Sequence, residues 1–324
     1  MYISKEERYY LKLKAAHLLY RENRRLSDIA ALLNISRPTL NKLLQEARAE
    51  HIITISINDI RQSERYISLE QELCKKLELK DVKIVDTKGK PGEAVNQGIG
   101  EAAAKYFATL ISSKMRIGVG WGNTLQAMAK YLHPDRSVIE PEFVSLMGGF
   151  STDESSSYTL FANSLCETIA TNYDRSKIAM IHAPILARSK KDAVTMMRAP
   201  GISESFEKMS ALDVAIVGID GDVEHSTTIG IEKSIGAVVD EIREKKCVGN
   251  VCARFYDKDG NTGILSIEGR LLSISTDDLR RTPLVIGVAG GPYKAESIRG
   301  ASRAKLFDVL VTDAGTAEAI SGMP

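Results

Sequence analysis

Several features that would assign a protein to a class at once are scarce or missing in this chain. No apolar run approaches the roughly 18 residues of a membrane-spanning helix, and the longest, such as Val214–Ile219, have the length of strands. Residues Met1–Arg8 are charged and lack the apolar stretch of a signal peptide. The four cysteines are scattered without metal-ligand spacing. We therefore expect reduced thiols in a cytoplasmic protein, with no membrane segment, no metal and no other cofactor.

What is present is an ordinary globular composition with an uneven distribution of charge. The 324 residues are 44% hydrophobic and 26% charged, which excludes a disordered, collagen-like or coiled-coil chain and suits two domains. Residues 1–57 hold 10 Lys and Arg against 6 Asp and Glu, a net charge of +4, whereas the remainder holds 33 against 36, a net charge of −3. A basic amino-terminal segment predicts contact with a polyanion.

The basic segment has the pattern of a three-helix unit with a short ribbon. Residues 5–21 predict an amphipathic helix, and Ser27 and Ser36 are predicted N-caps of a second and a third helix. The partly alternating run Ile52–Ile57 predicts a strand or wing. The apolar face of the first helix consists of Tyr10, Leu11, Leu13, Ala15, Leu18 and Leu19.

The second and third predicted helices have the spacing of a helix-turn-helix. Ala30 supplies a small residue where the helices cross, and Asn34 tolerates the left-handed backbone of the turn. The exposed face of the third helix carries side chains that read base edges and hold phosphates, and its N-terminus offers N–H groups to a phosphate. The predicted DNA-binding residues are Ser36, Arg37, Thr39, Asn41, Lys42 and Gln45, with Arg48 on the same face. The alternatives are a solvated polar face on a structural unit and a head that contacts only proteins.

Residues 58–80 form a predicted connector with a helical stripe at Ile67, Leu69, Leu73 and Leu77, which either packs on the following domain or pairs with a second copy.

From residue 81 to 324, apolar strands alternate with amphipathic helices, which predicts a Rossmann-like parallel sheet covered on both faces. The predicted strands are Val82–Val85, Met115–Val119, Phe143–Met147, Lys177–Ile181, Val214–Ile219, Leu284–Val288 and Val309–Thr312. The predicted helices include Glu93–Leu110, Leu125–Leu132, Leu160–Thr171 and Glu296–Leu306, and Ser151–Ser157 is a predicted polar loop or lid.

A glycine-rich turn follows the second predicted strand and directly precedes a helix. Gly120 and Gly122 let the backbone approach a ligand closely, while Asn123 and Thr124 add donors at the start of the helix. The spacing matches neither a dinucleotide fingerprint nor a P-loop. We interpret it as a site for the phosphate of a small molecule, the alternative being a tight strand-to-helix turn.

Two further glycine turns converge on the same crevice if the sheet is parallel. The first contains Gly148 and Gly149, and the second precedes Lys294, which either balances an anionic ligand or is a surface lysine. Asn250 and Arg270 are weaker candidates for polar contacts to the effector.

Signals of catalysis are few. None of the five histidines is paired at metal spacing, and neither a nucleophile elbow nor a zinc pattern is present. Asp213, Asp220 and Asp222 cluster around one predicted strand, and we interpret them as helix caps and loop residues and not as acid–base pairs. The expectation is a binding protein and not an enzyme.

Five segments give the chain a resemblance to the SorC/DeoR-type family of bacterial sugar-binding transcriptional regulators. They are Ile35–Leu40, Gly118–Thr124, Asp213–Ile219, Val285–Gly291 with Lys294, and Asp308–Ala317. The resemblance spans nearly the whole chain and implies a winged helix-turn-helix joined to an effector domain. That domain is similar in fold to sugar-phosphate isomerases and deaminases without their chemistry. The resemblance also implies homo-oligomers, dimers or tetramers, that bind phosphorylated sugars and are released or rearranged on operator DNA.

The match of motifs implies that Gly122, Asn123 and Thr124 hold the phosphate and that Lys294 lies near the sugar. The sequence departs from the family where Asn250 replaces a common Asp, where Met147 replaces a lysine of some relatives, and where Asp220 replaces a usual glycine. We expect a regulator of a carbohydrate-catabolism operon, controlled by a phosphorylated sugar or polyol. The alternative is an active sugar-phosphate isomerase or deaminase with a DNA-binding head.

Overall fold

The computed structural model describes residues 5–53, 63–87, 89–90, 92–150, 162–231, 235 and 238–324. The chain divides into two compact units, residues 1–62 and 63–324. Within the described ranges, none of the helices has both the length and the apolar character needed to cross a bilayer. The predicted loop Ser151–Ser157 and residues 54–57 of the predicted wing lie outside the described residues.

The described residues of the smaller unit form three helices, α1 (Lys5–Tyr20), α2 (Leu26–Leu32) and α3 (Arg37–Ala49). Its core is a single apolar cluster to which all three helices contribute. The buried members are Ala15, Leu18, Ile29, Ala30, Leu40 and Leu44. Ile52 and Ile53 both lie in a bend after the turn that follows α3, so the strand predicted at Ile52–Ile57 does not begin at these residues.

Two local predictions in the smaller unit are wrong. Ser27 lies inside α2, whose N-cap is Arg25 in an extended conformation without a side-chain cap. Leu13 is 46% exposed, although the sequence pattern places it on the apolar face of α1. Leu13 lies two residues before the buried Ala15, and two residues correspond to about 200° around a helix, so the side chains point to opposite sides. The same geometry leaves Tyr10 60% exposed.

The larger unit is built on a seven-stranded sheet in which every neighbouring pair is parallel. Its strands, in spatial order, are β1 (Asp81–Val85), β11 (Val309–Asp313), β10 (Leu284–Val288), β7 (Val214–Gly218), β2 (Arg116–Val119), β4 (Glu142–Ser145) and β6 (Lys177–Ala179). The parallel pair β3 (Asp135–Ile139) and β5 (Tyr173–Asp174) and the antiparallel hairpin β8 (Cys247–Val251) and β9 (Arg254–Asp257) complete the described strands.

The described helices of the larger unit alternate with these strands. They are α4 (Ser63–Lys76), α5 (Gly92–Ala108), α6 (Asn123–Tyr131), α7 (Ala162–Ala170), α8 (Lys190–Met197), α9 (Ile202–Met209), α10 (Thr227–Ile231), α11 (Val239–Glu244), α12 (Thr276–Arg281), α13 (Ala295–Arg303) and α14 (Ala314–Ser321). All seven predicted sheet strands are confirmed within two residues at each end. The predicted mixed α/β fold with a large parallel sheet is therefore confirmed.

The sheet is buried on both faces. Ala215, Ile216 and Val217 are consecutive residues of β7, and each is 0% exposed. Successive side chains of a strand point to opposite faces, so full burial of three in a row requires cover on both sides. The apolar runs in the sequence therefore reflect their central position in the sheet.

Helix α4 lies within the connector predicted at residues 58–80 and packs into the larger unit. Leu73 and Leu77 are buried in the core that also contains the sheet, whereas Ile67 is 53% exposed. The sequence left two interpretations of this stripe, packing on the following domain and pairing with a second copy. Packing on the following domain accounts for the burial of Leu73 and Leu77.

Candidate functional site

A cleft that is partly open to solvent lies where the loops after β2, β7 and β10 leave the sheet. These three strands are direct neighbours, so the loops after their carboxyl ends emerge side by side. The residues that line the cleft are Asn96, Trp121, Gly122, Asn123, Thr124, Gly218, Ile219, Asp220, Thr227, Asn250, Cys252, Tyr293 and Lys294.

One wall of the cleft is the N-terminus of α6. Gly122 is the N-cap residue with φ of 138°, a left-handed conformation that glycine adopts without strain. Asn123 and Thr124 form the first turn, and Thr124 is 6% exposed. Free N–H groups and the helix dipole make such a terminus favourable for an anion. The structure thus brings together the three residues that the family resemblance assigns to a phosphate.

Lys294 contributes a cation to the same cleft. It ends a short 3₁₀ turn, Pro292–Lys294, immediately before α13. Its Nζ donates a hydrogen bond to the carbonyl oxygen of Ile219 at 3.0 Å. Burial lowers the pKa of Lys294, and the nearby Asp220 carboxylate partly opposes this shift. An ammonium group has three donors, so two remain for a ligand after the bond to Ile219.

Asp220 is a carboxylate whose two oxygens are fully engaged by the protein. Oδ1 accepts hydrogen bonds from the N–H groups of Gly221 at 3.0 Å and Thr227 at 3.1 Å. Oδ2 accepts from the Ser226 hydroxyl at 2.7 Å and the Thr228 N–H at 3.0 Å. This pattern fixes the start of α10, in agreement with its interpretation as a capping residue.

Asn250 joins the same network and is 1% exposed. Its Nδ2 donates to Oδ2 of Asp220 at 3.2 Å, and its Oδ1 accepts from the Thr228 hydroxyl at 3.4 Å and the Ala253 N–H at 3.3 Å. Asn250 therefore lines the cleft with both ends of its amide already engaged. The adjacent turn of the β8–β9 hairpin holds Cys252 and Ala253 at φ of 50° and 60°, a left-handed pair without glycine.

Gly120 has a packing role and does not line the cleft. Its N–H donates to the carbonyl oxygen of Ile216 at 2.8 Å. A Cβ at this position would lie 3.3 Å from that oxygen and 3.3 Å from Cα of Val217. The glycine permits close contact between β7 and the turn after β2, and its N–H is unavailable to a ligand.

Three more predicted effector residues also lie outside the cleft lining. The Gly149 N–H donates to the carbonyl oxygen of Ala183 at 2.9 Å, and a Cβ on Gly148 would lie 2.5 Å from the same oxygen. Nε of Arg270 donates to the carbonyl oxygen of Ala187 at 2.8 Å. Gly148, Gly149 and the Arg270 side chain therefore hold neighbouring loops together. The sequence pattern does not distinguish this packing role from contact with a ligand.

Other residues of the cleft were not singled out by sequence reasoning. Asn96 comes from the second turn of α5, which carries no glycine turn or motif to mark it. Trp121 packs on Phe150 with ring centroids 4.4 Å apart, and Tyr293 stacks on His225 at 4.8 Å. Within the described ranges, no group of three or more His, Cys, Asp or Glu side chains is arranged to hold a metal ion.

In the smaller unit, α3 presents the polar face that the sequence predicts. The predicted DNA-binding residues Arg37, Thr39, Asn41, Lys42 and Gln45 are all exposed. The opposite face of the helix is buried through Leu40, Leu43, Leu44 and Ala47. The predicted DNA-binding face is therefore exposed, on a helix whose other side packs into the core of the smaller unit.

The N-terminus of α3 is less open to a phosphate than the sequence suggested. The Ser36 side chain caps the helix by accepting from the Thr39 N–H at 3.2 Å, and the two hydroxyls lie 2.7 Å apart. Pro38 has no N–H to offer. Among the first three helical residues, only Arg37 keeps an uncapped N–H. Asn34 has φ of 51°, as expected for the turn between α2 and α3.

Comparison with known proteins agrees with this architecture. Residues 46–321 match the family model described as a putative sugar-binding domain. The deoxyribonucleoside regulator of Bacillus subtilis is 28% identical over 319 residues, which cover 97% of this chain and 98% of that protein. The sorbitol operon regulator of Klebsiella pneumoniae is 29% identical, with 95% and 96% covered. The crystal structure of full-length SorC from Klebsiella pneumoniae has a TM-score of 0.73 at 26% identity, with 97% and 98% covered.

The sheet and its strand-end cleft define an α/β protein with a sugar-binding domain, and the matched range extends over most of the chain. The chain belongs to the SorC/DeoR-type family of sugar-binding transcriptional regulators. The resemblance drawn from the five sequence segments is thereby confirmed.

Proposed function

We propose that this protein is a DNA-binding transcriptional regulator whose affinity for its operator is set by a phosphorylated sugar or polyol. The observation that carries the proposal is the meeting of a helix N-terminus, Gly122–Thr124, and the Lys294 ammonium group in one cleft. The relatives named for a sorbitol operon and for deoxyribonucleosides support control by a carbohydrate ligand.

The phosphate is held by the N-terminus of α6. A helix terminus carries a partial charge of roughly +0.5 from its unpaired N–H groups, and Asn123 and Thr124 add side-chain donors. Lys294 supplies a full positive charge in a partly desolvated position, where its attraction for a dianion is stronger than in water. Asn250 and Tyr293, which also line the cleft, contact the carbohydrate part of the ligand by packing, since the Asn250 amide is engaged by Asp220, Thr228 and Ala253.

The ligand is bound and not transformed. Among the described residues that line the cleft, Asp220 is the only carboxylate, and its oxygens accept from four N–H and O–H groups and from the Asn250 amide. A carboxylate committed in this way is a poor general base, because a proton acceptor needs a free lone pair within reach of the substrate.

The DNA is read by the exposed face of α3. Arg37 and Lys42 contact guanine edges or phosphates, and Asn41 and Gln45 are suited to adenine. Two half-sites about 34 Å apart require two heads at a fixed separation, so the functional form is a homo-oligomer, a dimer or tetramer, acting in the cytoplasm. In this scheme residues 1–57 form the DNA-binding domain. The effector unit of residues 81–324 also includes α4 of the connector.

The test begins with DNA selected in vitro from a random pool by the full-length protein. A labelled copy of the selected fragment is titrated by fluorescence anisotropy in the presence of phosphorylated pentoses, hexoses or hexitols, and of their unphosphorylated counterparts. At least one phosphorylated compound should change the DNA affinity about fivefold or more, whereas the unphosphorylated partner should not. Absence of salt-dependent DNA binding, or turnover of the compound seen by NMR, would contradict the proposal.

A further inference from the structure

The cleft contains an amide that none of the sequence patterns single out, Asn96 on α5. It lines the same cavity as Asn123, Thr124 and Lys294. α5 follows β1 and α6 follows β2, and both strands run in the same direction in the sheet. The two helices therefore begin at the same edge of the sheet.

A close contact between the two helices fixes the position of Asn96. A Cβ on Gly100 would lie 2.7 Å from Cβ of Ala127 and 2.7 Å from N of Met128, so α6 touches the backbone of α5 at this point. Asn96 lies four residues before Gly100, and Asn123 lies four residues before Ala127. Residues four apart share one face of a helix, one turn away. Asn96 and Asn123 are thus each one turn nearer the N-terminus than the contact, on the faces that meet.

The side chain of Asn96 is available to a ligand. It is partly exposed and forms no hydrogen bond or ion pair with another residue in the part of the chain that the structure describes. Asn250, by contrast, has both ends of its amide engaged. The NH₂ group of an asparagine carries two donors, and Asn96 lines the same cleft as the N-terminus of α6.

We propose that Asn96 is a specificity-determining residue that donates to the phosphate group of the ligand, next to the donors of Asn123 and Thr124. The inference rests on the proposed function and deepens it, because it assigns a contact from α5 to the phosphate. A phosphate between α5 and the N-terminus of α6 accepts hydrogen bonds from Asn96 on one side and from Asn123 and Thr124 on the other. A ligand with a neutral hydroxyl at that place leaves several of these donors unpaired, which disfavours it.

The test uses inorganic phosphate and a hexitol 6-phosphate as probes, with dissociation constants measured by isothermal titration calorimetry. Asn96→Asp should weaken the binding of both probes at least tenfold, because a carboxylate then faces a dianion. Asn96→Leu, which removes the donors without adding charge, should weaken binding about tenfold, as for one lost hydrogen bond to a charged group. Gln97→Asp is the matched control, since it adds the same charge at an exposed position one residue away, and it should change binding less than threefold.

The melting temperature of each ligand-free variant separates a contact role from a structural one. Unchanged melting temperatures with the affinity losses above would support the proposal. If the unaltered protein binds the probes and both Asn96 variants bind them within twofold of it, the inference is overturned while the proposed function stands. If the unaltered protein binds no phosphorylated compound, both fail together.

Discussion

A methyl group added at Gly100 tests whether the contact between α5 and α6 positions the phosphate end of the cleft. In Gly100→Ala the new carbon would lie 2.7 Å from Cβ of Ala127 and from N of Met128. Ordinary carbon contacts are about 3.5–4.0 Å, so the helices must separate by roughly 1 Å. The second atom belongs to the backbone, and α6 must therefore move as a whole.

The expected cost follows from two opposing terms. Overpacking of a tight contact costs roughly 1–3 kcal/mol, and replacing glycine by alanine within a helix returns roughly 0.5–1 kcal/mol. The two ranges combine to a net loss of up to about 2.5 kcal/mol. Because one of the atoms in contact belongs to the backbone, we expect a loss of about 1–2 kcal/mol, which should lower the melting temperature by about 2–8 °C for a unit of this size. Because Asn96 and Asn123 move apart, phosphate affinity should fall as well.

Gly98→Ala in the same helix is the matched control. Its new carbon would lie 3.4 Å from Cγ2 of Thr87 and 3.5 Å from Cγ1 of Val85, which is ordinary contact. It should leave stability unchanged or raise it by up to about 1 kcal/mol. Both variants are compared by urea unfolding and thermal melting. Equal stability of Gly98→Ala and Gly100→Ala would refute the argument that the two helices are held together by a backbone contact.

Three other outcomes follow from the structure. Lys42→Ala should weaken operator binding and reduce the salt dependence of log K by about one, while Lys75→Ala, on exposed α4 surface, should do neither in the same anisotropy titration. Thr124→Ala should weaken effector binding about tenfold in calorimetry yet leave DNA affinity unchanged; an equal loss of both would contradict separate sites. Burial raises the pKa of the Cys252 thiol to about 12, so iodoacetamide at pH 8 should label it only after unfolding, and rapid labelling of the folded protein, detected by mass spectrometry, would contradict its burial.

The inner strands of the sheet could be predicted from the sequence because they are covered on both faces. Such burial makes an inner strand a nearly continuous apolar run, as in Val214–Gly218, and the runs are separated by helices of clear amphipathic pattern. The turn between α2 and α3 was also predictable, since Asn34 and the Ser36 cap are local signals. Such features depend on residues close together in the chain.

The β8–β9 hairpin was not predictable in this way. Its turn, Cys252–Ala253, has two positive φ angles but none of the glycine or asparagine residues that mark such turns. Tertiary packing around buried Cys252 and Val251 holds this conformation against the local preference.

The candidate site was predictable only in part, for a related reason. Glycines at strand ends serve both ligand approach and backbone packing, and the sequence does not separate Gly122, which lines the cleft, from Gly120, which packs on β7. The role of Asp220 as the anchor of Asn250 depends on hydrogen bonds with Ser226, Thr228 and Asn250, which no local pattern around Asp220 predicts. The position of Asn96 in the cleft depends on how α5 and α6 cross, and no local sequence pattern predicts that crossing.

Whether the effector acts through the cleft is tested most directly by the operator affinity of the full-length protein and of Lys294→Ala, each measured with and without the phosphorylated compound that the panel identifies. Without the compound, both proteins should bind DNA equally well, and adding it should change the affinity fivefold or more only in the unaltered protein. A response of the same size in Lys294→Ala would show that the effector is sensed elsewhere.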